Sequence, residues 1–205
     1  MQDMNEYIKK VEAHSLPRWE QLPDFELYMD QVISLMQKYL EPYLLKDDNL
    51  TPSMINNYVK MEALPAPIKK RYSKEHISRL IIICLMKRQF ALPTISSIIN
   101  AESINNDIIS FYNYFVESYE NASKQALNEL KEHSVKGALL LAIASCVNYT
   151  TAQYTVDLVL PTIDPKPEKK EKDKDKKPEK DKKEKKDKKS EKDKTDKKDK
   201  KSSEK

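Results

Sequence analysis

The sequence predicts an all-α fold, on three observations. It holds one glycine, Gly137, in 205 residues, so tight hairpin turns that need positive φ are expected to be scarce. Leu, Ile, Met and Tyr are plentiful, and in several stretches apolar residues recur at spacings of three and four, which lines them along one helical face. Asp, Thr or Ser stands just ahead of such stretches, where a side-chain oxygen can cap a helix N-terminus.

The elements follow in order. "SLPRWEQLPDFELYMDQVISLMQKYLEPYLL" opens the folded body, with Asp24 after Pro23 as the N-cap of a helix carrying Leu27, Val32, Met36 and Leu40. Trp19 and Leu22 are expected to pack against that helix. Thr51 reads as the next N-cap and Pro52 as a first helical residue, where a missing N–H costs nothing. Pro65 and Pro67 are expected to stop this short helix. Ser73 caps another, with Glu75 well placed for its dipole, and its run from Leu80 to Met86 is apolar nearly all round, which predicts burial on most faces. "LPTISSIIN" gives a short helix from Pro93. Ile104, Ile108, Phe111, Phe115, Tyr119, Ala122, Ala126 and Leu130 predict one long amphipathic helix.

"SVKGALLLAIASCVNYTTAQYTVDLVLP" predicts a last helix ending near Pro161. No charge occurs from Gly137 to Val156, close to the ~20 residues a membrane span needs. Asn148, Thr150, Thr151 and Gln153 occupy its second half, however, so only about ten residues are intensely apolar, a length that suits a core or dimer-interface helix better. From Asp164 onward the chain has no apolar residue, cannot offset its ordering entropy by burial, and is expected to be disordered.

Chemistry is argued for by little. "MQDMNEYIKK" lacks a secretory h-region, and a cytoplasmic location is expected. Cys84 and Cys146 lie far apart in apolar stretches and read as buried reduced thiols; neither has a second Cys or a His at zinc spacing. His14, His76 and His133 stand apart from one another. With no nucleophile motif, phosphate-cradling glycine loop or paired carboxylates, a non-catalytic protein without metal or cofactor is expected.

Charge is more informative. The tail from Asp164 is net +7 and the body to Ile163 net −3. Within the body, the window from Thr51 to Ile99 holds Lys60, Lys69, Lys70, Arg71, Lys74, Arg79, Lys87 and Arg88 against Glu62 and Glu75, net +6. Cations gathered on one module suit contacts to a phosphate backbone. Two consecutive helices with a short connector form a helix-turn-helix candidate. The second presents Ser53, Asn56 or Asn57, and Lys60 on one face, residue types that read base edges or hold phosphates. Met54, Ile55, Tyr58 and Met61 form the opposite, docking face, and "PAPIKKRY" is expected to form a compact wing.

These residues carry a resemblance. "TPSMINNYVKMEALPAPIKKRYSKEHISRLIIICLMKRQFALPTI" is similar to the winged helix-turn-helix of MerR-type transcription regulators. Ile55 and Tyr58 match the recognition-helix core, Leu64-Pro65 the step after it, Arg71-Tyr72 the wing exit, and Ile77, Leu80, Ile83, Leu92 and Ile95 the following helices. Glu62-Ala63 stands where Gly-Leu is usual, and the wing is shorter than in typical members. Residues 16–160 more closely resemble a family of uncharacterised bacterial proteins with a domain of unknown function, itself likened to such regulators.

The resulting expectation is an N-terminal extension (1–15), a MerR-like winged helix-turn-helix (16–100), a C-terminal helical module for dimerisation or partner binding (101–163) and the charged tail (164–205). Its function would be DNA binding in transcriptional control, through Ser53, Asn56, Asn57, Lys60, Lys69, Lys70, Arg71, Tyr72 and Lys74. The implied partners are double-stranded DNA and a second copy of the chain, with no membrane; no effector can be named. A helical protein-interaction adaptor without DNA binding is the alternative.

Overall fold

A computed structural model describes residues 4–45, 48–105, 107–130 and 135–163; the expected disorder of the tail concerns residues outside these. Among the described residues there are seven α-helices and no strand, so the chain is all-α. They are α1 (Met4–Glu12), α2 (Met29–Leu40), α3 (Pro52–Lys60), α4 (Lys74–Met86), α5 (Leu92–Asn105), α6 (Ile108–Leu130) and α7 (Val135–Ile163), with a single 3-10 turn at Trp19–Gln21.

α4 is the centre of the core. Its residues from Leu80 to Cys84 are all buried, as an all-round apolar run requires, and α2, α5 and α6 pack on it. α2 contributes Val32, Met36 and Leu40; α3 contributes Ile55 and Tyr58; α6 contributes Phe111, Tyr112 and Val116. Each such side chain stabilises the fold by about 1.5–3 kcal/mol when fully buried. α5 runs unbroken through the boundary expected at residue 100. α1 adds a small satellite core, where Ile8 and Val11 meet Leu127 with Tyr43 packed against them.

A strap, residues 15–19, leading into the 3-10 turn is laced to α6. The Leu16 N–H donates to Glu120 Oε1 at 2.9 Å, the Trp19 N–H to Asn113 Oδ1 at 2.9 Å, and the Tyr112 hydroxyl to the Pro17 carbonyl at 2.8 Å. Arg18 completes it, bonding the Asn113 carbonyl at 3.1 Å and pairing with Glu120 at 3.3 Å.

Several expectations are corrected. α2 begins at Met29, not beside Asp24, because Leu27 is held extended by exchanging both backbone hydrogen bonds with Tyr72, at 2.9 and 2.8 Å. Trp19 packs against the main core and stands edge-on to Tyr112 of α6, with centroids 6.1 Å apart. α3 ends at Lys60, well before the prolines. The long helix expected from about residue 102 is two helices. Asp107 starts α6, its carboxylate accepting from the N–H groups of Ile109 (2.8 Å) and Ser110 (2.9 Å) and from the Ser110 hydroxyl. Those bonds, the Ser110 N–H foremost, hold its carboxyl below the usual range. Cys146 is exposed rather than buried, and α7 is not a core helix, since most of its side chains face outward.

Candidate nucleic-acid interface

Thr51 and Pro52 start α3 as expected, with Thr51 Oγ1 accepting from the Met54 N–H at 3.2 Å. Burial of Ile55 and Tyr58 fixes the rotation of this helix about its axis. Ser53, Asn56, Asn57 and Lys60 are therefore all exposed, and Ser53 to Lys60 spans about 10 Å of one face at 1.5 Å per residue. Met61, expected on the docking face, is exposed instead. The helix closes in a Schellman motif. The Ala63 N–H reaches the Tyr58 carbonyl and the Glu62 N–H the Val59 carbonyl, both at 3.0 Å, with Glu62 left-handed at φ 59°. Glycine is the usual residue at such a position, so the chain accepts strain where the Gly-Leu pattern is replaced.

The cluster at residues 68–71 is a tight hairpin. The Arg71 N–H donates to the Ile68 carbonyl at 2.9 Å, and the two residues pair antiparallel. Lys69 and Lys70, the central residues, have φ of 49° and 64°, which makes a type I′ turn. Glycine scarcity leads one to expect few such turns, and this one is made by two lysines. Their side chains leave from the tip and are exposed. The Arg71 guanidinium lies 5.3 Å from the ring centroid of Tyr28, a cation–π contact of about 0.5–1 kcal/mol at an exposed site.

The other two expected contact residues serve differently. Tyr72 is 3% exposed; it pairs with Leu27 through its backbone and stands edge-on to His76 at 5.5 Å, so it anchors the hairpin root. Lys74 is paired with Asp24 and sits 5.8 Å over the Trp19 ring. His76 reinforces that root: its Nδ1 accepts from the Ser73 N–H at 3.1 Å and meets the Ser73 hydroxyl at 2.7 Å.

The eight cations of the basic window sort into two sets. Arg79 pairs with Glu75 at 3.0 Å, Lys87 and Arg88 both reach Asp48, and Lys74 holds Asp24. Lys60, Lys69, Lys70 and Arg71 form no ion pair among the described residues. The uncompensated charge therefore lies on the end of α3 and on the hairpin, while charge elsewhere in the window serves the fold. No direct bond among the described residues joins the polar face of α3 to the hairpin tip; the turn at Glu62–Leu64 and the Pro65–Pro67 segment connect them. Sequence reasoning missed Tyr28, Asp24 and Asp48, whose partners lie about 40 to 50 residues away.

A separate cleft of about 500 Å³ lies between α1 and α6, lined by His14, Tyr43, Glu120 and Leu127. Two of its polar groups are engaged, Glu120 with the strap and His14 with the Tyr39 carbonyl at 2.7 Å. No group of His, Cys, Asp and Glu suited to hold a metal occurs among the described residues.

Comparison with known proteins adds one finding. The DUF1836 model, a domain of unknown function, matches residues 17–121, which run from the strap to the middle of α6 and include α3 and the hairpin. No curated protein and no solved structure matches the chain. The matched segment is half of the sequence, and the chain belongs to the DUF1836 family.

Proposed function

We propose that this protein is a non-catalytic, DNA-binding transcriptional regulator that contacts the duplex with α3 and the 68–71 hairpin. The observation that carries the reading is the sorting of charge within the basic window from Thr51 to Ile99: among the described residues, its cations without an ion-pair partner are those on α3 and the hairpin. Two of them occupy left-handed positions, each costing about 1 kcal/mol or more for a non-glycine residue. Asn56 or Asn57 would pair with an adenine edge and Lys60 with guanine or phosphate, while Lys69, Lys70 and Arg71 would hold the backbone. Tyr72 and Lys74 support the hairpin root. The MerR-type likeness rests on the quoted residues alone, and the family match names no activity.

The test is a salt series by fluorescence anisotropy on a selected site and on random duplex. Lys69→Ala/Lys70→Ala/Arg71→Ala should weaken both by a similar factor and flatten log K against log salt by about 2.7, at 0.9 per phosphate contact. Asn56→Ala should lose about 1–3 kcal/mol on the selected site only, with the slope kept. A triple variant that binds like the parent would refute the DNA reading and leave the helical adaptor.

A further inference from the structure

α7 is covered on one side and leaves an apolar stripe uncovered on the other. Its inner face packs on α5 and α6: Gly137 is buried, Leu141, Ala152 and Val156 are half-buried, and Tyr149 meets Phe90 with centroids 6.4 Å apart. The outer face carries Leu139, Ile143, Val147, Tyr154 and Leu158, all exposed. They follow a helical stripe along about five turns. Thr150 and Thr151 on this side donate to the carbonyls of Cys146 and Val147, at 3.0 and 2.9 Å, so covering them strands no hydroxyl.

The two charges on the described part of α7 select the occupant. Lys136 and Asp157 lie on the outer side at opposite ends, about 32 Å apart at 1.5 Å per residue. Inverting the helix about the point between Cys146 and Val147 brings position 136 onto 157, 139 onto 154 and 143 onto 150. The stripe is therefore complementary to its own reverse in charge, and in apolarity apart from Thr150, which meets Ile143 with its hydroxyl already bonded to the Cys146 carbonyl. We propose that the outer face of α7 pairs antiparallel with the same face of a second copy of this chain, Lys136 of each meeting Asp157 of the other across a twofold axis beside Cys146. Such an isologous contact makes each pair twice. The uncovered apolar side chains amount to on the order of 600 Å² per protomer, approaching the roughly 800 Å² a stable interface buries on each side.

A bilayer is the competing cover, because Val135–Leu160 is long and apolar enough to cross one by length and composition. Lipid would have to strip the inner face from α5, α6 and Phe90, or draw in Glu117, Lys124 and Glu129, which α6 exposes. A second copy requires neither.

The full chain should be a dimer by light scattering at micromolar concentration. A short bis-maleimide should join two copies through Cys146 alone, since Cys84 is buried and burial pushes its thiol up to about 11. Val147→Glu should give a helical monomer. Lys136→Asp or Asp157→Lys should each raise the dimer dissociation constant about tenfold, within what two exposed pairs can supply, and combining them should restore it. The charge variants leave the apolar stripe intact, so they decide the matter if Val147→Glu fails to fold. A monomeric full chain, charge variants without rescue, or vesicle binding that protects α7 from protease would overturn the proposal.

Discussion

Replacing Lys69 with Asn and Lys70 with Gly should make the protein more stable and a weaker DNA binder at once. Both lysines hold φ in the left-handed region, at 49° and 64°, where an L-residue with a β-carbon loses roughly 1–2 kcal/mol. Asn-Gly is the preferred pair for a type I′ turn. Glycine returns about 0.5–1 kcal/mol of this through its greater freedom in the unfolded chain, leaving a net gain of about 1–2 kcal/mol. For a folded body of this size each kcal/mol moves Tm by about 2–4 °C, so calorimetry should show a rise of roughly 2–8 °C. Binding should move the other way: two lost phosphate contacts flatten the log K against log salt slope by about 1.8. The Lys69→Ala/Lys70→Ala variant separates the causes, because it removes the charge and keeps the strain. It should reproduce the slope change without the rise in Tm. If Asn-Gly lowers Tm, the turn stores no strain; if the slope is untouched, the lysines touch no phosphate.

Glu62→Gly addresses the other left-handed position and, unlike the hairpin change, should raise both Tm and duplex affinity, since it relieves the end of α3 and removes a carboxylate beside its polar face; a calorimetric gain of about 1 kcal/mol accompanied by weaker duplex binding would contradict this. Burial holds the His76 imidazole below its ordinary range, with Glu75 opposing and Arg79 assisting, and Nδ1 must be unprotonated to accept the Ser73 N–H. The unfolded chain therefore binds the extra proton first, so His76 contributes stability above about pH 6.5 that is lost as pH falls, by at most about 1.4 kcal/mol per unit; His76→Gln should reduce that fall in Tm between pH 7.5 and 5.

What the sequence revealed were the features whose causes are local. Thr51–Pro52 and Ser73 mark helix starts because a cap needs only its own next turn, and the run from Leu80 to Cys84 advertises a buried helix by composition. The errors came where distant groups decide. Asp24 looks like a cap, but Lys74 claims its carboxylate and Tyr72 holds Leu27 extended. The apolar spacing of Ile104, Ile108 and Phe111 continues in register across the break at Asp107, so periodicity alone could not place it. Two lysines carry no turn signal, since the backbone conformation they adopt is imposed by the pairing of Ile68 with Arg71. The candidate site was legible as a basic window and a polar face on α3, but not which cations were uncompensated, because Asp24 and Asp48 are remote in sequence from the bases they neutralise.

The lacing of the strap to α6 also sets an order of events in folding. Leu16 and Trp19 hold groups 104 and 94 residues further along. Closing a loop of that length costs about 4 kcal/mol in chain entropy, from the logarithmic dependence on length. A nascent chain cannot make the Leu16 bond until Glu120 has been synthesised, so the strap docks only once that part of α6 exists. Pulled from its N-terminus, the protein should surrender the strap while the α4 core is still intact.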